Sequence, residues 1–284
     1  MAFTVNTNVG AMAALQSLSS TNKAMATTQS RINTGMNVSS TKDDSAAFTI
    51  AQSLRGDMGG LQAVSSSLNR AKSVTDVAVA GAEQISDVVN EMKKKAYEAA
   101  DAGIDDASRA AINKDFVALR DRITTIVNSS EFNGTNLLKT GGGTVSALQS
   151  LQDGDSTAAN WQPDSLSIAN QGLELGGTVI TVAAAGAIDT QANAQAMIDT
   201  LTTTQTNLKT SLSTLGAGSR KIDAQLSFTS KLSDVVEAGI GNLVDADLAK
   251  ESAKLQALQV KQQLGIQALS IANQAPQAIM SLFR

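Results

Sequence analysis

Residues 44–100 read DSAAFTIAQSLRGDMGGLQAVSSSLNRAKSVTDVAVAGAEQISDVVNEMKKKAYEAA. Apolar side chains recur at alternating intervals of three and four: Ala47, Ile50, Leu54, Leu61, Val64, Leu68, Ala71, Ala78, Ala82, Ile85, Val89, Met92 and Ala96, with Asp57 and Thr75 the polar members of the stripe. That spacing is one face of an α-helix. At ~1.5 Å per residue the helix is a rod of roughly 85 Å, too long for a compact body of 284 residues, so an elongated molecule is expected. Asp43 or Asp44 is placed to cap its start. Gly56, Gly59 and Gly60 each weaken it by about 1 kcal/mol relative to Ala, and they mark a bend or a close approach. Ala100-Asp101-Ala102-Gly103 ends it, with Gly103 expected in the left-handed conformation.

Outward from the rod, the same rhythm continues on both sides. Before it, Ala11, Leu15, Leu18, Asn22, Met25, Gln29, Ile32 and Met36 form a stripe, followed by an irregular connector at 35–41. After it, Ile112, Phe116, Leu119, Ile123 and Ile126 share a helix face that Asp105 or Asp106 can cap, and the short turn makes this helix antiparallel to the rod. From Asn133-Gly134 the chain turns often, at Gly141-Gly142-Gly143, Asp153-Gly154-Asp155, Pro163-Asp164 and Gly176-Gly177. Ser165–Ile168 alternates and Thr178–Val182 is β-branched, so short hairpins are expected at both. Helical spacing resumes through Ile198, Leu201, Leu208, Leu212, Leu215, Ile222, Leu226, Val236, Ile240 and Leu243, then fails at Asp245 and Asp247.

The last helix carries two stripes. One runs through Leu248, Leu255, Leu258, Gly265, Leu269, Ala272, Ile279 and Phe283; the other through Ala253, Ala257, Val260, Leu264, Ile271, Ala275, Ala278 and Leu282. A helix apolar on two sides needs more neighbours than one antiparallel partner supplies. This is the main sequence indication of polymerisation. The layout is palindromic, and loop-closure economy pairs the two halves. The expected fold is mainly α: an elongated antiparallel coiled-coil or helical-bundle rod built from paired N- and C-terminal halves, with a small β-hairpin insert. Its expected divisions are a terminal coiled-coil domain (1–40 with 245–284), a helical rod domain (44–132 with 190–243) and a β-rich insert (133–189). Expected inter-subunit or core packing residues are Leu15, Leu18, Met25, Ile32, Leu255, Leu258, Leu264, Leu269, Ile271 and Phe283. Expected rod packing residues are Ile50, Leu54, Leu61, Leu68, Ile85, Leu208, Leu215 and Ile222.

Composition excludes many functions. The chain has no His and no Cys, so a Ser-His-Asp triad, a Cys-His pair, a zinc finger and a His-held haem are ruled out, as are disulfides. Aromatics are only 3%, which leaves Ala, Leu, Ile, Val and Met to do the packing. The net charge of -4 without basic blocks argues against nucleic acid. Both ends are uncharged: Lys23 is the first charged side chain, and none occurs from Gln262 to Phe283. The N-terminus has no basic and apolar signal-peptide pattern, and the glutamines of the C-terminal helix argue against a membrane span. Gly216-Ala217-Gly218-Ser219 lacks the Lys of a phosphate loop and lies within a helical stripe. Asn37-Val38-Ser39, Asn128-Ser129-Ser130 and Asn133-Gly134-Thr135 match the glycosylation pattern by chance, Lys93-Lys94-Lys95 is a solvated helix face, and Asp43-Asp44 and Asp105-Asp106 suit caps better than catalysis. No enzyme, cofactor or metal is expected.

The termini resemble bacterial flagellins. The matching residues are Asn6-Thr7-Asn8 with Ala11-Met12, Thr21-Asn22, Arg31-Ile32-Asn33-Thr34-Gly35, Lys42-Asp43-Asp44, Ile50-Ala51, Phe132-Asn133-Gly134 with Leu137-Leu138, Leu215-Gly216-Ala217, and the run from Ala249-Lys250-Glu251 to Gln274-Ala275-Pro276-Gln277 and Leu282-Phe283-Arg284. The resemblance implies a homo-oligomeric helical filament for swimming: terminal helices line a channel, the rods form the tube around it, and a short insert faces outward. It also implies an extracellular subunit exported unfolded by the flagellar type III apparatus without a cleaved signal peptide. An export chaperone, cap proteins and junction proteins are the implied partners, with no nucleic acid and no membrane. Related readings are a hook–filament junction protein and a non-flagellar coiled-coil adaptor rod. Residues 89–96 align with a stretch that innate Toll-like receptors bind in some flagellins; Glu91, Lys95 and Asp115 belong to this receptor-like surface. The family often has Arg at the position of Glu91 and an apolar residue at that of Lys95, so weakened recognition is expected. The terminal segments are expected to be largely disordered in a lone chain and to order on assembly.

Overall fold

The computed structural model describes residues 7–151 and 164–282. Asp153-Gly154-Asp155, Pro163 and Phe283, all singled out from the sequence, lie outside the described residues. In chain order the elements are α1 (Val9–Thr34), α2 (Ser45–Ala100), α3 (Asp106–Ser129), β1 (Val145–Leu148), β2 (Ser165–Ile168), α4 (Gln191–Val244) and α5 (Leu248–Leu282). The chain divides into two compact units, residues 1–56 with 235–284 and residues 57–234.

The larger unit holds one apolar core to which α2, α3 and α4 all contribute. Leu68, Ile85 and Met92 from α2, Phe116 and Ile123 from α3, and Leu201, Leu208, Leu215 and Ile222 from α4 are fully buried in it. These are the stripe positions, and four of the buried α4 residues recur every seven positions, the repeat of helices that stay in contact over a long seam. Leu61 is buried as well.

The start of α2 is set by Asp44, whose Oδ1 accepts from the backbone N–H groups of Ala46 and Ala47 at 2.9 and 3.0 Å. Asp43 works one residue earlier: its Oδ2 accepts from Ser39 and Ser40 backbone and hydroxyl groups at 3.0–3.1 Å and closes the connector. Those bonds hold the Asp43 carboxyl below the ordinary aspartate range. Gly60 is a close approach: a Cβ there would lie 2.5 Å from Leu151 Cδ2, whereas Gly56 and Gly59 face open space.

The end of α2 differs from expectation. Gly103 is not in the left-handed conformation. Arg109 supplies the cap instead: it donates from Nε to Ala99 O at 2.9 Å and from Nη2 to Asp101 O at 3.1 Å, and its side chain is nearly all buried. A guanidinium that satisfies the last carbonyls removes the need for a glycine cap.

The insert between α3 and α4 holds one hairpin among the described residues. β1 and β2 pair antiparallel with Val145 opposite Ile168 and Leu148 opposite Ser165. The second expected hairpin, at 178–182, does not form; Leu175 and Ile180 make only an isolated bridge. The apolar side chains of this stretch bury instead, Ile180 and Val182 completely. The Thr181 backbone N–H donates to Thr204 Oγ1 at 3.1 Å, and its hydroxyl donates to Thr200 O at 3.2 Å. A segment whose polar groups are satisfied by α4 has no call for a strand partner.

In the smaller unit, Val38, Ala51, Ile240 and Val244 form a core of their own, with Phe48, Leu54 and Val236 against it. A backbone clip joins the two connectors: Asn37 N donates to Val244 O at 2.7 Å and Ala246 N donates to Gly35 O at 2.9 Å. Gly35 reaches this position with φ +71°, a conformation that favours glycine. Asp247 Oδ1 then caps α5 through Ala249 N and Lys250 N.

Candidate functional site

The helices α1 and α5, whose outer ends carry no charge, pair within the smaller unit, and their contacts fix an antiparallel register. Asn8 Nδ2 donates to Ala272 O at 2.7 Å, Gln262 Nε2 donates to Asn22 Oδ1 at 2.9 Å, and Arg31 Nη1 lies 3.4 Å from Glu251 Oε1. Between the first two, Leu18 lies over Gly265, where a Cβ would come within 3.3 Å of Leu18 Cδ1. Asn8 also caps α1, its Oδ1 accepting from Ala11 N at 3.0 Å.

The face that α5 turns to α1 is Leu255, Leu258, Gln262, Gly265, Leu269 and Ala272, the first stripe of the sequence. On α1 the less exposed face is Ala11, Ala14, Leu18, Thr21, Met25, Thr28 and Ile32, a strict alternation of three and four. The sequence reading places Leu15, Asn22 and Gln29 on that stripe; the structure leaves all three exposed and substitutes Ala14, Thr21 and Thr28. The physical reason is helix pitch: positions one residue apart straddle a 3.5-residue seam, and the smaller member lets the two backbones approach. The recurrence of Ala14, Thr21 and Thr28 at seven-residue intervals was the available signal, and it is polar in two of three places.

The pair is thinly packed. Thr28 is the one buried residue of α1, and Glu251 and Leu258 are the buried residues among those described on α5. Near one end the seam is polar: Glu251 Oε1 faces Arg31 Nη1 at 3.4 Å and Lys254 Nζ at 3.5 Å, beside Thr28. Burial pushes the Glu251 carboxyl up, but Lys254, Thr28 and Arg31 pull it down more, and it lies below the usual glutamate range. Glu251 Oε2 and Arg31 Nε are buried without a hydrogen-bond partner, so the layer is incompletely satisfied.

Apolar residues remain on the other sides of both helices. Val9, Met12 and Leu15 on α1 are exposed, as are Val260, Leu264, Ile266 and Ile271 on α5, with Leu264 at 56% and Ile271 at 69%. Val260, Leu264 and Ile271 are the second stripe of α5, uncovered in the single chain. Of the remaining expected packing residues, Leu18, Met25, Ile32, Leu255 and Leu269 are half-buried and Leu258 is buried; Ile50 is exposed while its neighbour Ala51 is fully buried.

The receptor-like surface lies in the larger unit. Lys95 Nζ meets Asp115 Oδ2 at 3.1 Å and Glu98 Oε2 at 3.4 Å. Asp115, working against partial desolvation and helped by Glu98, raises the Lys95 ammonium above the usual lysine range. Glu91 is exposed with no ion pair to a described residue. Lys93 Nζ lies 3.4 Å from Gln205 Oε1. Among the described residues, no acidic, His or Cys group is arranged to hold a metal, and no helix is long and apolar enough to cross a membrane.

The whole chain has known relatives. Residues 5–141 match the bacterial flagellin N-terminal helical region, and residues 191–283 match the bacterial flagellin C-terminal helical region. Flagellin FljM of Caulobacter vibrioides is 44% identical over 280 residues, covering 99% of this chain and 98% of that one. Flagellin FljK of the same organism is 42% identical with the same coverage. A flagellin of Brucella melitensis is 35% identical over 281 residues, covering 98% of each chain. The two helical regions that match are the ones that supply α1 and α5, and on that footing the chain belongs to the bacterial flagellin family, whose members are the structural subunits of the flagellar filament.

Proposed function

We propose that the α1–α5 pair is the polymerising element of this filament subunit, and that the exposed stripes on the two helices are the surfaces that neighbouring copies cover. One observation carries this reading: α5 is apolar on two sides, one turned to α1 and the other, Val260, Leu264 and Ile271, open to solvent. Covering that second side returns about 25 cal/mol per Å², which offsets an ordering cost of ~1–2 kcal/mol per residue. With so few buried residues in the pair, the two terms nearly cancel for a lone chain. Addition to a filament end, where neighbours are already in place, tips the balance, so growth is cooperative and end-directed. Residues 1–40 with 245–284 then form the inner filament core, 44–132 with 190–243 the rods around it, and 133–189 the outward insert.

The same reading gives the chain an extracellular home in the filament, reached by unfolded export through the flagellar type III apparatus without signal-peptide cleavage. The C-terminal helix, with its two apolar faces, is the segment an export chaperone covers beforehand; cap and junction proteins are its partners at the filament ends. Recognition by Toll-like receptors is weak, because Glu91 places a negative charge, and Lys95 an ammonium already paired to Asp115 and Glu98, where other members of the family present Arg and an apolar side chain. The test of the central reading is truncation after Gln262 with electron microscopy of seeded growth. The truncated chain keeps its larger unit folded and does not elongate; elongation by that variant overturns the proposal.

A further inference from the structure

Among the methionines whose side chains are described, Met12 alone is exposed, at 64%. Met25, Met36, Met58 and Met197 are half-buried and Met92 is fully buried. Met12 lies between Val9 and Leu15 on an exposed strip of α1 that runs beside the Ala11, Ala14 and Leu18 edge facing α5. No charged residue precedes Lys23, so α1 itself brings no ionised side chain to pair with a new dipole on this face. An unbranched, polarizable thioether suits an interface that must be filled without a rigid shape. It is also the side chain of this face that a two-electron oxidant converts.

We infer that Met12 is a modification site at which oxidation of the unassembled chain by a hydroperoxide blocks entry into the filament. The inference rests on the reading that the outer face of α1 is covered by neighbouring copies. In the reaction a lone pair on Met12 Sδ attacks the terminal oxygen of the hydroperoxide. The S–O bond forms as the O–O bond breaks; sulfur loses two electrons, and the peroxide is reduced to an alcohol or water, its proton passing to the departing oxygen. The sulfoxide carries a strong acceptor and no donor partner, so burying it against Val9- and Leu15-like neighbours is unfavourable. The free chain is the vulnerable form, and the assembled filament shields the sulfur.

The experiment treats purified full-length chain with hydrogen peroxide, removes the oxidant, measures sulfoxide at Met12 by peptide mass spectrometry, and follows elongation on filament seeds. Elongation falls roughly tenfold or more at fixed concentration. Met12→Leu elongates at the same rate before and after the identical treatment, and methionine sulfoxide reductases restore the wild-type chain. Met12→Ile replaces Met12→Leu if the latter disturbs growth before oxidation. Preassembled filaments given the same dose keep Met12 unmodified. Normal elongation of chain carrying the Met12 sulfoxide, or an equal loss in oxidised Met12→Leu, overturns the inference. Leu15→Asp separates the two levels: if it blocks growth while oxidation does not, the oxidation inference alone fails; if it grows normally, the reading of the α1 face fails with it.

Discussion

Replacing Leu264 by Ala tests the second face of α5 with a magnitude that the structure supplies. The substitution removes three carbons, each worth about 0.8 kcal/mol when buried. In the single chain the side chain is 56% exposed, so more than half of that value is still to be gained on assembly. The share realised only in the filament is about 1.3 kcal/mol, a roughly tenfold rise in the concentration at which seeds stop shrinking and begin to grow. The folded single chain is expected to change by less than ~0.5 kcal/mol, the usual range for a surface substitution, and Ala is the better helix former. The assay is sedimentation of seeded filaments over a concentration series, with circular dichroism on the unassembled protein as control. A critical concentration within twofold of wild type refutes the assignment of Leu264 to an interface between copies. Loss of helix in the free chain refutes it differently, by showing that Leu264 packs within the molecule.

Other perturbations probe the rest of the account. Phe116→Ala empties a fully buried site in the larger unit and is expected to cost about 3–5 kcal/mol, read as a fall of roughly 10 °C in the thermal midpoint. Gly81→Ala places a Cβ 2.8 Å from Leu138 Cδ1 and against Ser130, so it overpacks a closed core and is expected to cost about 1–3 kcal/mol in chemical denaturation. The Glu251 carboxyl lies below its ordinary range in the folded pair, so its contribution is present at neutral pH and is lost as pH falls through the folded value. Limited proteolysis of α1 and α5 therefore accelerates in acid, and Glu251→Gln flattens that dependence; an unchanged profile contradicts the assignment. Purified chain is expected to stimulate receptor-bearing cells weakly, and Glu91→Arg with Lys95→Leu to raise the response; full activation by the unaltered chain refutes the role given to those two positions.

Most helix boundaries are legible in the sequence because they are written in short-range chemistry. Asp44, Asp105 and Asp247 stand where chains enter helices, and the stripe through Leu68, Ile85 and Met92 is the one that buries. What periodicity does not carry is the choice between adjacent seam positions. Leu15 is more apolar than Ala14, yet Ala14 faces α5, because close approach of two backbones favours the small residue. Nor does local pattern reveal partners distant in sequence. Arg109 caps a helix that ended nine residues earlier, displacing Gly103 from that role, and Thr181 is drawn to α4 rather than into a strand. The polar layer at Thr28, Arg31 and Glu251 is visible only once α1 and α5 are laid side by side, since the two halves of it lie 220 residues apart.

The most direct measurement is amide hydrogen exchange, followed residue by residue, on the dissolved chain and on its filaments. Thin packing of α1 against α5 predicts fast exchange around Leu18 and Leu269 in the dissolved chain, slow exchange around Leu68 and Leu215 in the same sample, and protection of all four in the filament. Strong protection at Leu18 and Leu269 before assembly, or its absence afterwards, contradicts the claim that neighbouring copies complete the fold of the terminal helices.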